Sequence, residues 1–463
     1  MKSCNFLLLP VAFLSLHAWG QEVSFNSSTL LQYWRQGTPG FETSTYSPAT
    51  QFLEVDATGL GQEAISFHFY GWGRSDLAEQ TRVTGKNTSD MVYGYVSYRA
   101  PKGNLEAQVG RIAVNQGVAI EQVDGGTFLA DLIGGFTFSA FAGVPVHYRI
   151  FDESVQHDYE YQRDLIAGGR LGKRFDRFAE LGLSFVQDGT YPGKKLNGYN
   201  TYDFTRRQMA VDIRVTPNTL LNMSGRTVFD IADRMDLPAD TQANNARVAE
   251  HDYNLALRLN PQLGASLTYT ERNFRAFYSG TTLPSLFNPQ EPGTFRSQGV
   301  AFFIGAPTSR FQGVVDLKKT HRDSYGDSLR YGGELRGSVA PANLKYGVGL
   351  HRVNADAANY SGIVATFYGL AHTELQGWVT YEKDRMTAAF NAIHHHFDDP
   401  ANPSLYGKGS LSEIVGALGY QATPDLKVSC DVIRGVSSLM QAETLFVMRA
   451  DYHFGWARKE GVK

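Results

Sequence analysis

Residues 446 to 454 read Phe446-Val447-Met448-Arg449-Ala450-Asp451-Tyr452-His453-Phe454. Side chains of a β-strand alternate between its faces, so Phe446, Met448, Ala450, Tyr452 and Phe454 share one side. Val447, Arg449, Asp451 and His453 share the other. An apolar, aromatic face opposite a charged one suits a strand standing between lipid and a polar interior. An edge strand of a soluble sandwich has the same period, so the reading depends on whether the pattern recurs.

It recurs along most of the chain. Met209, Val211, Ile213 and Val215 oppose Gln208, Ala210, Asp212 and Arg214. Tyr253, Leu255, Leu257 and Leu259 oppose Asp252, Asn254, Ala256 and Arg258. Leu263 to Thr270, Leu344 to His351 and Leu426 to Val432 alternate in the same way. Many such runs bounded by turn signals are strong evidence where one is weak.

The turn signals share a form: proline, one or two polar residues, then a leucine that starts a strand. They are Pro101 to Leu105, Pro217 to Leu220, Pro261 to Leu263, Pro341 to Leu344 and Pro424 to Leu426. Proline has no N–H to give a ladder, so it belongs in a tight turn. Asp176-Arg177, Pro307-Thr308-Ser309 and Lys383-Asp384-Arg385 read as further tight turns. Longer polar segments alternate with them: 36–48, 74–90, 187–202, 231–247, 278–294, 354–372 and 397–410. Short turns at one end and longer loops at the other are the asymmetry of an outer-membrane barrel, with turns in the periplasm.

Composition agrees. Aromatics make up 13% and there are 47 glycines, while mean hydropathy is only −0.28. That combination suits strands that are apolar on alternate residues. Beyond the leader no run of 18 or more apolar residues offers a transmembrane helix. The net charge of −3 gives no case for nucleic acid. Lys2, the apolar run Phe6 to Leu16 and the small residues around Ala18-Trp19-Gly20 read as a secretory signal over 1–20, with Gln21 first in the mature chain. Cys430 is then the sole mature cysteine, which excludes a disulfide framework, a Cys-x-x-Cys-His haem site and a cysteine-based zinc site. With no linker or composition shift, residues 21–463 read as one domain.

The whole mature chain resembles bacterial outer-membrane barrels of the porin type. The resemblance implies an all-β, antiparallel up-and-down transmembrane barrel, integral to the outer membrane and surrounded by its lipid. Counting strands gives about 22, with 20 the next choice if Gly117 to Asp131 is a loop folded inward. The resemblance also implies that the last strand is read by the barrel-assembly machinery, with Tyr452 and Phe454 as the signal. Gly455 to Lys463 follow Phe454, a departure from the family's ending. A shorter stretch is similar to the barrel subunits of porin–cytochrome electron conduits: Val109-Gly110-Arg111, Gly117-Val118-Ala119, Asp124-Gly125 and Phe141 to Val146. That likeness implies a multihaem cytochrome held in the lumen as a partner.

A barrel of this size has a lumen too wide for side chains to fill. The chain has no room for a plug domain, and an open hole would leak. A partner protein, an inward constriction at Asn115 to Asp131, or a smaller strand count would each resolve this. On strict alternation the lumen is lined by Arg170, Asp212, Arg214, Asp252, Arg258, Asp316, Lys318, Arg330, Glu334, Arg336, Lys345, Lys427, Asp431, Arg449 and Asp451. Glu54, Asp56, Glu106 and Glu180 fall on the same side. Mixed signs predict weak ion selectivity, and cross-strand ion pairs supporting the wall are the simpler reading.

Other motifs have plain explanations. In His394-His395-His396 the outer two share a strand face and the middle one takes the other, so the triplet does not converge on a metal. Phe67, Phe69, Tyr70, Tyr93, Tyr95, Tyr98, Tyr452 and Phe454 read as aromatic girdles rather than a carbohydrate track. Arg111 falls on the lipid face, so either a bulge turns it inward or it snorkels. No nucleophile elbow, P-loop or Gly-x-Gly-x-x-Gly is present. The expectation is a non-enzymatic barrel with no catalytic, cofactor-binding or metal residue. Its leading function is a polar passage, with a lumenal tenant in the conduit version. The alternatives are a general or loop-constricted porin for small solutes and an outer-membrane hydrolase with loop-borne catalytic residues.

Overall fold

The structure is a computed structural model that describes residues 22–36, 44–60, 64–78, 87–146, 164–190, 195–196, 199–200, 203–231, 247–273, 294–305, 310–322, 326–355, 370–400, 405, 408–436 and 443–457. The leader expected over 1–20, the turn at Pro307-Thr308-Ser309 and most of the long polar segments lie outside the described residues.

The alternating segments form 22 barrel strands. They are β1 (Glu22–Gln36), β2 (Pro48–Thr58), β3 (Ile65–Asp76), β4 (Asn87–Arg99), β5 (Leu105–Gln116), β6 (Ala119–Asp131), β7 (Phe136–Pro145) and β8 (Asp164–Phe175). Next come β9 (Ala179–Thr190), β10 (Asp203–Val215), β11 (Leu221–Asp230), β12 (Arg247–Asn260), β13 (Leu263–Asn273), β14 (Thr294–Ile304) and β15 (Phe311–Arg322). The rest are β16 (Gly326–Val339), β17 (Leu344–Ala355), β18 (His372–Lys383), β19 (Met386–Phe397), β20 (Ser410–Thr423), β21 (Leu426–Val436) and β22 (Glu443–Ala457). Each is antiparallel to its sequence neighbours, and β1 pairs with β22 from Glu22↔Ala457 to Gln36↔Glu443. That last pairing closes the sheet into a barrel.

The turn chemistry follows the residues chosen. Asn218 Oδ1 accepts from the Leu220 and Leu221 N–H groups at 2.9 and 3.0 Å. Asn260 Oδ1 does the same for Gln262 and Leu263 at 2.7 and 2.8 Å. Asp176, Asn343 and Asp384 take φ of 50°, 52° and 52°, the left-handed conformation that Asn and Asp tolerate at turns. The five proline turns all lie at one end of the barrel, with both described ends of the chain. By the turn–loop asymmetry this is the periplasmic end.

Side chains on the outer face are apolar and bare. Leu335 is 71% exposed and Leu418 63%, and Val315, Val348, Leu350, Phe390 and Ile414 are exposed beside them. A band of this kind around a closed barrel is a lipid-facing surface. Tyr452 and Phe454 belong to it, opposite Ser27 and Phe25 of β1. The strand runs on past Phe454 through Ala457.

Candidate functional site in the lumen

One hairpin departs from the wall. β5 pairs with β4 only from Arg99↔Glu106 to Gly94↔Arg111. β6 pairs with β7 only from Asp131↔Thr137 to Val123↔Pro145. Between those limits β5 and β6 pair only with each other, out to Gln116↔Ala119. The question whether residues 115–131 form a strand or an inward loop resolves as both: a strand whose upper half leaves the sheet.

The departure point is a row of glycines, Gly110 on β5 opposite Gly125 on β6. Gly110 has φ of 137°, a backbone that side-chain-bearing residues rarely adopt. A Cβ there would sit 2.2 Å from the Gly94 carbonyl oxygen, and one on Gly125 would sit 2.1 Å from that of Ala142. The twist at Gly110 also breaks the alternation that put Arg111 against lipid. Arg111 neither snorkels nor sits on a bulge of its own strand. It donates to both carboxylate oxygens of Asp124 at 2.7 and 2.8 Å and to Asp90 at 3.2 Å, clamping the base of the hairpin to β4.

Beyond the clamp the hairpin lies across the inner face of the neighbouring strands. Val114, Val118, Ala119 and Val123 pack with Phe141, Ile166, Val186, Ala210, Val228 and Ala249, all buried. Those partners come from β7, β8, β9, β10, β11 and β12 in turn. At the tip the Val118 N–H donates to Ser184 Oγ at 3.0 Å, and Arg226 donates to the Gly117 carbonyl at 3.3 Å. Arg206 pairs with Glu121, and Gln122 donates to the Val92 carbonyl. Each polar contact stabilises by about 1 kcal/mol. Each Val- or Ile-sized side chain buried contributes about 1.5 kcal/mol or more. The apolar floor, supplied by six strands, therefore does more than the polar contacts to hold the hairpin down.

The charged residues read as lumen-lining alternate along their strands with exposed apolar side chains such as Leu171, Val211, Leu317, Leu335 and Val348. Some are joined. Arg170 reaches over β9 to Asp212 at 2.6 Å and holds Glu180 at 2.8 Å. Arg330 pairs with Asp316 at 2.8 Å, and Arg336 with Glu334 at 2.6 Å. Asp451 accepts from Ser28 at 2.6 Å, and Asp252 accepts from Thr270 at 3.4 Å. Arg214, Arg258, Lys318, Lys345, Lys427, Asp431 and Arg449 have no ion pair among the described residues. Beneath the hairpin, toward the periplasmic end, lies a cavity of about 890 Å³ bounded by Gln116, Gly117, Arg170, Asp212, Arg214 and Asp252.

The most buried charge was not singled out by sequence. Glu250 is 1% exposed and takes Arg226 at 2.9 Å and Arg272 at 3.0 Å. Its strand neighbour Ala249 belongs to the floor. Glu250→Gln is expected to cost roughly 1–3 kcal/mol, since it leaves two partly screened guanidinium groups facing a neutral amide. The measurement is the urea midpoint of the detergent-solubilised barrel.

The aromatic reading needs correction. Phe67, Phe69 and Tyr98 do face outward, but Tyr70, Tyr93 and Tyr95 point into the lumen. The β3–β4 ladder runs in one register from Ile65↔Tyr98 to Tyr70↔Tyr93, so plain alternation puts Tyr70, Tyr93 and Tyr95 with His68 on the face opposite Phe67, Phe69 and Tyr98. Their rings lie 5.6 Å apart, His68 stacks on Tyr95 at 4.9 Å, and Tyr93 donates to Glu54 at 2.6 Å. Glu54 and Asp56 share that inner face, Asp56 bound by His68 at 2.5 Å.

No family model matches the chain, and no curated protein matches it. Among solved structures it is similar to the siderophore receptor PirA of Pseudomonas aeruginosa, with 9% identity, TM-score 0.55, and 93% of this chain and 80% of that one covered. It is also similar to a mutant of the ferric enterobactin receptor of the same organism, with 10% identity, TM-score 0.54, and 94% and 81% covered. The outer membrane protein OpdK of that organism aligns over 95% of this chain and all of its own, at 10% identity and TM-score 0.40. At such identities the two receptor matches speak to the fold. The closed barrel, its lipid-facing band and this fold likeness make the chain a porin-like barrel integral to the bacterial outer membrane.

Proposed function

We propose that the barrel carries small polar solutes across the outer membrane through a lumen narrowed by its own β5–β6 hairpin. The observation that supports this is the hairpin itself: a built constriction lying over a polar cavity. A closed antiparallel sheet with charges turned inward lets a polar path cross lipid. The mixture of ion-paired and unpaired charges favours weak selectivity. A lumenal cytochrome would compete for the inner face that the hairpin covers, which weighs against the conduit version. Residues Tyr452 and Phe454 retain their proposed role as the ending read by the assembly machinery.

The test is solute flux. Liposomes holding the folded, purified barrel are expected to swell in small sugars and amino acids and to resist larger oligosaccharides. Folded barrel that passes neither, or that co-purifies with a haem absorbance, would overturn the reading in favour of a tenanted lumen.

A further inference from the structure

The histidine triplet does not converge, as its spacing predicts, yet its middle member finds other partners. His395 turns inward from β19, directly opposite Glu374 of β18. His372 lies on the same inner face of β18, two residues from Glu374, and its ring meets that of His395 at 5.2 Å. The ligand atoms of His372, Glu374 and His395 lie within 4.8 Å of one another. A first-row ion at about 2.0–2.1 Å from each donor would hold them about 3.4 Å apart, a closure that side-chain rotation supplies.

The hydrogen bonds around this group fix the lone pairs. His372 Nδ1 lies 2.7 Å from the Leu370 carbonyl. A carbonyl only accepts, so Nδ1 carries the proton and Nε2 is left as a free donor to a cation. On β17, His351 stands opposite Glu374 in the same row. Its Nε2 is held by Asp316 at 2.8 Å, so its Nδ1 presents a lone pair. That Nδ1 is buried without a hydrogen-bond partner and lies 3.5 Å from Glu374 Oε1. The His351 ring can lie flat across β16 because Gly332 occupies the position between. A Cβ there would meet His351 Cδ2 at 2.5 Å.

The result is a surplus of acceptors. Among the described residues, Asp316, Glu374 and the free nitrogens of His351, His372 and His395 face one paired cation, Arg330. Arg330 already commits one nitrogen to Asp316 at 2.8 Å and reaches Glu374 only at 3.3 Å. Neither ring nitrogen of His395 has a hydrogen-bond partner among the described residues. Buried acceptors turned toward one another are costly unless a proton or a cation lies between them. A buried apolar cluster, Leu370, Phe397, Leu405 and Leu411, closes the side toward the extracellular loops. Imidazole with carboxylate is the donor set that suits Zn²⁺, Ni²⁺, Co²⁺ and Cu²⁺ rather than Mg²⁺ or Ca²⁺.

We infer that the lumen wall near its extracellular mouth holds one divalent transition-metal ion on His372, Glu374 and His395. Three protein ligands leave a coordination position for water or for a donor atom on a solute. His351, oriented by Asp316, borders the ion on the Glu374 side. The site stands whether or not the barrel passes solutes.

The experiment uses the full folded barrel in detergent, stripped with chelator and titrated with Co²⁺, then with competing Zn²⁺. Expected are a visible Co²⁺ absorption of one ion per chain, its loss on Zn²⁺ addition, and one Zn²⁺ retained through desalting. His372→Ala, His395→Ala and Glu374→Gln are each expected to abolish retention. Asp316→Asn, which releases His351 beside the ion but touches no ligand, is expected to leave one ion retained. The outward pair His394→Ala/His396→Ala should leave binding intact. Heat-modifiable migration of every variant on gels shows that each barrel has folded. Wild-type protein that retains no ion would overturn the proposal. So would binding that survives His372→Ala and His395→Ala but disappears with the outward pair.

Discussion

Removing residues 112–122 and joining Arg111 to Val123 through a two-residue turn is expected to raise single-channel conductance several-fold. The same variant should admit oligosaccharides that the native barrel excludes. The wall would survive, because β4–β5 pairing ends at Arg111 and β6–β7 pairing begins at Val123. The cost falls on the floor, where Ile166, Val186, Ala210, Val228 and Ala249 would meet water. At about 25 cal/mol per Å² that loss is a few kcal/mol. It lowers the urea midpoint without opening the closed sheet. A second arm separates a fixed constriction from a moving one. Val118→Cys with Ser184→Cys, in a Cys430→Ser background, ties the tip to β9 where the native chain has a hydrogen bond of 3.0 Å. Equal conductance oxidised and reduced means the hairpin stays down. A rise on reduction means it lifts. Conductance unchanged by the deletion would remove the hairpin from the pathway altogether.

The barrel was legible in the sequence because its signals are local. Alternation in Met209 to Val215 or Leu263 to Thr270 is a property of a single strand, and lipid enforces it on every outward residue. The proline turns were legible for the same reason, and Asn218 and Asn260 complete two of them by accepting from the N–H groups two and three residues on. The same period set the expectation of inward charges, from Arg170 to Asp451. It did not set which of them pair, since Arg170 meets Asp212 by reaching over an intervening strand.

What alternation hid was the contact between strands far apart in sequence. Val186, Ala210, Val228 and Ala249 are apolar on inner faces, a small breach of the polar-in pattern on successive strands. Read together, those breaches mark where a covering element lies. Read singly, each is an ordinary Val or Ala. The inward tyrosines escaped because aromatic density was read without parity: Tyr70 is an odd step from Phe67 and Phe69, and Tyr93 and Tyr95 are odd steps from Tyr98, so each group divides between the two faces. The cluster at His395 escaped because its ligands come from two strands whose register only the folded sheet sets. Glu374 and His395 are opposite one another in the ladder though twenty-one positions apart in the chain.

The second large effect is at the hinge. Gly110→Ala and Gly125→Ala are each expected to destabilise the barrel by about 3 kcal/mol or more. At Gly110 two costs add: a φ of 137° that a Cβ disfavours, and a contact of 2.2 Å with the Gly94 carbonyl oxygen. At Gly125 the contact alone is 2.1 Å, with the Ala142 carbonyl oxygen. Both obstacles are backbone, so no side-chain rotation relieves them. Relief would require β4 or β7 to move off its neighbour, which breaks ladder bonds that lipid cannot replace. Gly416→Ala is the matched control, because a Cβ there meets nothing within 4 Å and the residue sits in a regular strand. Urea midpoints of the three variants in one detergent should separate the two hinge positions from the control. Each hinge variant should also shed the Arg111–Asp124 clamp and expose the 112–122 tip to protease, while Gly416→Ala stays protected. Hinge variants as stable and as protected as the control would mean that the hairpin can bend inward without these glycines. In that case the constriction would rest on its apolar floor alone.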